Sequence, residues 1–238
     1  MQDVAKLWVY LSASPLLWLF ATLAAYALAD RISAATNRHP LANPVLMATI
    51  PLAVLLAVTG TPYTTYFSGA QFVHFMLGPA TVALAVPLAL EWRRVKRLAV
   101  PITIALLAGS LTAIISAVGI AWLLGAPHIV LASLAPKSVT TPIAMGIASL
   151  IGGLPSLTAT MVVVTGILTA VIAAPVSRLL RIKDHAAHGF ASGLAGHGIA
   201  TARAFHDSRL AGTFAGLALA LNGILTCVLA PLVMKLWP

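Results

Sequence analysis

Lys137 stands in the run "APKSVTTPIA", residues 135–144, between Pro136 and Pro142 and inside an otherwise apolar stretch. Ser138, Thr140 and Thr141 follow within four positions. Those types at that spacing suit capture of a small anion. The ammonium offsets its charge and the hydroxyls donate to its oxygens. A helix starting after the break aims its N-terminal N–H groups at the same place. Each residue also has a plainer role: lysine snorkelling from a shallow loop, hydroxyls capping a helix, prolines only breaking one. A second polar run, "GHGIATARA" at 196–204, brings His197, Thr201 and Arg203, with Gly196 and Gly198 as helix breaks. Arg203 suits a bidentate carboxylate contact, or pairing with Asp207 near the chain's inner edge. His197 among glycines reads either as a ligand or as a marker of tight packing. Asn222, in the last apolar run, needs a hydrogen-bond partner and so faces the protein interior, as a further candidate to bind the anion or as a packing hydrogen bond.

The acids inform by their positions. Asp3, Asp30, Glu91, Asp184 and Asp207 all fall at the ends of apolar runs or in loops. Cation pathways and proton pumps often need a carboxylate at membrane depth. A site offering Lys, His and Arg without one suits an anion. No acid is placed within a span to orient a histidine, so no hydrolytic triad is expected and the chain is read as not an enzyme. Cys227 is the only cysteine, which excludes a disulfide framework and a cysteine metal site. No metal and no cofactor is called for, and the glycines of 189–198 follow no strand, so they are not a dinucleotide fingerprint.

The elements that position these residues follow from composition. The chain has 238 residues, 60% hydrophobic and 8% charged. Soluble domains carry roughly 25% charged residues, so this pattern describes an all-α polytopic membrane protein. Strand-like alternation is absent, which argues against a barrel. The formal charge of +9 does not point to nucleic acid, because the basic residues gather in short loops.

Clean spans are expected at Leu7–Ala29, Leu41–Gly60, Val73–Leu90, Leu98–Leu124, Leu154–Leu180 and Leu210–Leu236. Residues 27–29 resemble a signal-peptidase site, but the apolar run before them is too long for a signal peptide, and it is read as a retained span. Thr61–Phe72 is polar and aromatic, suited to a membrane interface. Two segments, 128–151 and 186–205, are interrupted by Pro, Gly and polar residues. The basic loops "EWRRVKR" (91–97) and "RLLRIKD" (178–184) should share the cytoplasmic side. That requires the interrupted segments to turn back, giving six full spans plus two re-entrant segments. The alternative lets both cross, giving eight spans with 178–184 outside.

A two-unit repeat is visible. "GILTAVIAAP" (166–175) is matched by "GILTCVLAP" (223–231), and "KSVTTPIA" (137–144) aligns with "HGIATARA" (197–204). Each unit is an interrupted segment followed by a clean span. If each crosses once, the two are inverted, the plan of many secondary transporters. The chain thus divides into scaffold spans at 1–127 and a repeat-containing transport region at 128–238.

"APKSVTTPIAMGIASLIGGLPSLTA", "LRIKDHAAHGFASGLAGHGIATARAF", "NPVL" and "LGPATVALAVPL" resemble the LrgB/CidB family over nearly the whole chain. The resemblance implies an antiholin-like membrane protein similar to the LrgB-like half of the plastid glycolate/glycerate transporter. It implies a separately encoded LrgA/CidA-type partner and a place in the bacterial inner membrane, in a lipid bilayer, with a homo-oligomer allowed. It implies transport of small 2-oxo or 2-hydroxy monocarboxylates such as pyruvate, glycolate or glycerate. The alternative it carries is regulation of murein hydrolases and cell lysis. The family's Pro-Lys-Ser-Val-Thr-Thr-Pro falls on Pro136 to Pro142, and its second motif on His197, Gly198, Thr201, Ala202 and Arg203. Gly196 and Gly198 flank His197 here, where many relatives have Ser and Ala, and this leaves the exact substrate open.

Overall fold

The computed structural model describes residues 14–39 and 42–237, the side chains of Leu77 and Thr81 excepted. The start of the first expected span, together with Asp3 and Lys6, lies outside them. The described residues form helices and no strand. Five helices are long and apolar enough to cross a membrane. They turn large apolar side chains outward: Leu168, Ile172, Ile224 and Val228 are each half or more exposed. A soluble protein does not present such continuous apolar faces, whereas lipid accepts them.

The chain divides into two compact units, residues 1–83 and 84–238. In the first, α1 (Pro15–Ala35), α2 (Pro44–Thr59), α3 (Tyr63–Phe75) and α4 (Leu77–Ala83) follow one another. Proline opens α1 and α2 where its missing N–H is not needed. The Asn43 side chain accepts from the N–H groups of Val45 and Leu46 to cap α2. Trp18 is fully buried against the edge of Tyr66. Gly69 lets α3 approach α1, because a β-carbon there would meet the backbone of Leu19 at 2.7 Å. Three details depart from the sequence reading, the first being that α1 runs on to Ala35, past the expected end at Ala29. The polar stretch 61–72 is helical from Tyr63, and the apolar run counted as a span extends from Tyr63 to Leu90 rather than from Val73. The expected span at 41–60 is helical over 16 residues, shorter than the other spans.

The second unit contains α5 (Ala85–Leu90), α6 (Trp92–Arg97), α7 (Ala99–Leu123), α8 (His128–Leu134), α9 (Thr141–Leu150), α10 (Pro155–Leu179), α11 (His185–Asp207) and α12 (Arg209–Leu236). The basic run 91–97, expected as a loop, is the short helix α6. Ile114, Val118, Leu131, Val139, Val162 and Met234 share one core among α7, α8, α10, α12 and the 135–140 turn. Phe190, Leu194 and Phe214 anchor another between α11 and α12.

Both interrupted segments turn back on themselves. The Ser133 hydroxyl, at the end of α8, accepts from the Leu154 N–H at 2.8 Å, and the Thr158 hydroxyl donates to the Ser133 carbonyl at 2.9 Å. The chain therefore leaves residue 133, passes through 135–140 and α9, and returns to where it left. A β-carbon on Gly153 would meet Ser133 N at 2.8 Å, so glycine is needed for that return.

α11 behaves likewise. Its backbone breaks at Gly196 (φ −123°, ψ 18°) and His197 (φ 43°, ψ −136°). A straight helix would separate residues 188 and 207 by about 28 Å, yet the His188 Nε2 to Asp207 Oδ2 distance is 3.3 Å. Residues 185–195 and 198–207 are thus two opposed arms. A β-carbon on Gly189 would strike the backbone of Ala211, and one on Gly193 that of Ala215. Both contacts advance by four in the same direction, so the first arm runs parallel to α12. Asp184 caps that arm, accepting from the N–H groups of Ala186 and Ala187. Those bonds, Ala187 first, together with the nearby Arg94, hold its carboxyl below the ordinary aspartate range. Helix α6 and the turn at 180–184 approach each other, with Arg94 Nη2 3.8 Å from Asp184 Oδ2.

Candidate functional site

The tips of the two hairpins meet inside the second unit, and Asn222 of α12 joins them. Its Nδ2 donates to the Ser138 carbonyl at 3.2 Å and to the Leu194 carbonyl at 3.0 Å. Its Oδ1 accepts from Ser110 Oγ of α7 at 2.7 Å and from Thr226 Oγ1 at 3.2 Å. The residue is 1% exposed. Two donors and two acceptor sites are all filled, so this amide has no bond left for a solute. Those four bonds tie the two tips to α7 and to α12.

At the first tip Pro136 is buried and ends the descending arm, while Pro142 lies in the first turn of α9, where proline is tolerated. Lys137 is partly buried, and its Nζ is 3.4 Å from Ser138 Oγ. Among the described residues no carboxylate pairs with it. Thr140 is the N-cap of α9, but its side chain does not cap the helix. The first amides of a ten-residue helix are therefore left without a side-chain cap beside a lysine. Thr141 begins that helix and is partly exposed.

At the second tip the turn falls on Gly196 and His197, and Gly198 already has helical geometry. His197 carries a positive φ that favours glycine. The ring is 4% exposed, and its Nε2 donates to the Val162 carbonyl of α10 at 2.9 Å. A carbonyl only accepts, so Nε2 carries the proton and Nδ1 is the acceptor of the neutral ring. Gly166 leaves room for that ring, since a β-carbon there would meet His197 Cε1 at 2.7 Å. Lys137 and His197 lie within electrostatic reach of each other. Thr201 is buried and spends its hydroxyl on the His197 carbonyl at 2.7 Å. Arg203 lies further along the returning arm, with Nη2 3.4 Å from Asp207 Oδ1. The structure thus gathers Lys137, Ser138, Thr140, Thr141 and His197 around the tips, and places Arg203 at the base of the second hairpin.

Sequence reading missed three features. Ser110 is indistinguishable from any small residue in an apolar helix until its bond to Asn222 is known. Ser133 and Thr158 close the first hairpin by the same ordinary chemistry. At the end of α11 Asp207 faces a histidine: His188 Nε2 lies 3.3 Å from it, and His188 Nδ1 meets Ser177 Oγ at 2.8 Å. That trio ties both arms of the second hairpin to α10 at their base, away from the tips.

Long lipid-facing helices around paired broken segments define a multi-pass helical membrane protein. The model of the LrgB-like family matches residues 22–236, and the chain belongs to that family. It is 37% identical to the protein YwbG of Bacillus subtilis, over 91% of this chain and 96% of that one. It is 34% identical to YxaC of the same organism, over 83% and 86%. It is 28% identical to the antiholin-like protein LrgB of Bacillus cereus, over 93% and 96%. No solved structure matches the chain.

Proposed function

We propose that this protein moves a small monocarboxylate anion, of the 2-oxo or 2-hydroxy class, across a bacterial cytoplasmic membrane, with an LrgA-type partner and without chemistry on the solute. The observation that carries the reading is the convergence of the two tips. Ser138 and Leu194 bond to one amide nitrogen and so lie within about 6 Å of each other. A lysine without a carboxylate partner among the described residues, an uncapped helix start and a fixed histidine sit beside that point. Lys137 offsets the carboxylate charge, Ser138, Thr140 and Thr141 supply donors, and His197 presents Nδ1 to a hydroxyl of the solute. Non-helical backbone at membrane depth is tolerated where protein covers it or a cavity lies beside it.

The loop contact between Arg94 and Asp184 supports the count of six spans with two re-entrant segments, because eight crossings would put those loops on opposite faces. The crossed packing of the two "GILT" runs supports an inverted repeat. Gly166 of the first abuts His197 of the second hairpin, and a β-carbon on Gly223 of the second would lie 3.3 Å from Ile143 Cδ1 of the first.

Uptake of labelled pyruvate and glycolate into proteoliposomes holding the chain and its partner tests the proposal. Saturable uptake is expected, with Lys137→Ala raising KM at least tenfold. No uptake of any such acid sinks the substrate class, and unchanged uptake in the variant removes Lys137 from the site. The second reading, regulation of murein hydrolases and lysis, is favoured by the antiholin-like name of the Bacillus cereus relatives. It predicts leakage of solutes over a broad size range instead of saturable, competed uptake.

A further inference from the structure

A cavity of about 420 Å³ opens between α6 and the start of α11, lined by Leu90, Glu91, Arg93, Arg94, Arg97 and Asp184, with Leu98 at its edge. Its volume falls in the range of about 300–1,000 Å³ typical of small-molecule sites. Three guanidinium groups face two carboxylates there, so the rim is net cationic. Arg93 and Arg97 are four residues apart and share one face of α6. Arg94 spans 3.8 Å to Asp184 with both side chains about half exposed, a loose pair that a competing anion can displace.

We propose that this pocket holds the phosphate headgroup of an anionic membrane lipid. Planar guanidiniums recognise phosphate oxygens in pairs, and basic pockets between membrane helices on the cytoplasmic side take such headgroups. Free phosphate shares that chemistry, but three observations favour a lipid. Trp92, half exposed beside the pocket, carries Lys96 Nζ 5.2 Å from its ring centroid, an arrangement suited to the bilayer interface. Leu90 and Leu98 give the rim an apolar side. On the helices that flank it, α5 and α7, Val86, Val100 and Ile104 are each more than 60% exposed, apolar surface that acyl chains can cover.

Because Arg94 also faces the acid that caps the first arm of α11, a phosphate there competes for the arginine nearest that arm. The site is independent of which solute the tips bind.

The full chain in neutral detergent, titrated with phosphatidylglycerol or phosphatidylcholine and read by native mass spectrometry, tests this. Preferential retention of phosphatidylglycerol is expected, weakened about fivefold by each of Arg93→Gln and Arg97→Gln. Lys183→Gln, which removes a nearby charge that does not line the pocket, keeps the preference. Equal retention of both lipids overturns the proposal, as does an equal loss with Lys183→Gln. Displacement of phosphatidylglycerol by inorganic phosphate at matched concentration assigns the pocket to a soluble anion and removes the lipid.

Discussion

Asn222 is a single side chain with four bonds on four separate stretches of chain: α7, the first tip, the second tip and its own helix. Replacing it with leucine keeps the branched shape, with two bulkier methyls, but strands two backbone carbonyls. A buried unsatisfied group costs about 1–3 kcal/mol, although polar bonds inside membranes measure nearer 0.6 kcal/mol on average. Asn222→Leu should therefore lower unfolding stability in detergent by about 1–3 kcal/mol, with Ser110→Ala costing about 1 kcal/mol or less. A thermal melt without solute distinguishes this from a binding role, in which the unliganded protein would melt unchanged. At this scale the sequence was legible by type but not by role. Lys137, Ser138 and His197 stood out because polar groups in lipid are rare. Asn222 also stood out, but only the geometry reveals that its bonding capacity is already spent. Arg203 left both roles open from sequence, and its pairing with Asp207 places it away from the tips.

The hairpins depend on glycine where backbones touch and tolerate side chains where they do not. Gly193→Ala drives a methyl into the backbone of Ala215 and should cost about 1–3 kcal/mol. Gly198→Ala meets nothing within 4 Å in a helical turn, and should be neutral or stabilising by up to about 1 kcal/mol. Chemical unfolding of the two variants side by side measures the contrast. Asp184 secures the start of the same element. Its folded-state pKa is depressed, so the stabilisation it gives is complete above the ordinary aspartate value of 3.8 and lost as pH falls through the lower folded value. Hydrogen exchange at Ala186 and Ala187 should accelerate selectively there, and Asp184→Ala should cost about 1 kcal/mol at neutral pH. Sequence located both interrupted segments because Pro and Gly punctuate them. It did not place the second break on His197 itself, since a histidine with positive φ follows from tertiary contacts with Val162 and Gly166, not from local propensity. The helical course of 61–72 escaped for a related reason: polarity signalled an interface, while Trp18 and Gly69 decided the packing.

Across the whole molecule, membrane class and most helix limits were legible from hydropathy alone, because lipid demands long apolar helices whatever their partners. Seven basic residues in two short stretches set the expected sidedness, which has a direct check. With Cys227→Ala as background, cysteines at Arg93 and Lys183 should react with an impermeant maleimide from one face, and a cysteine at Gly125 from the other. Labelling of positions 93 and 183 from opposite faces favours eight crossings. One feature then constrains how the molecule works. Since one amide on α12 fastens both tips, neither tip can retreat alone without forfeiting one of that amide's four bonds. A motion that keeps those bonds carries both tips along with α12 as one body, and a motion that parts the tips has to break this contact first.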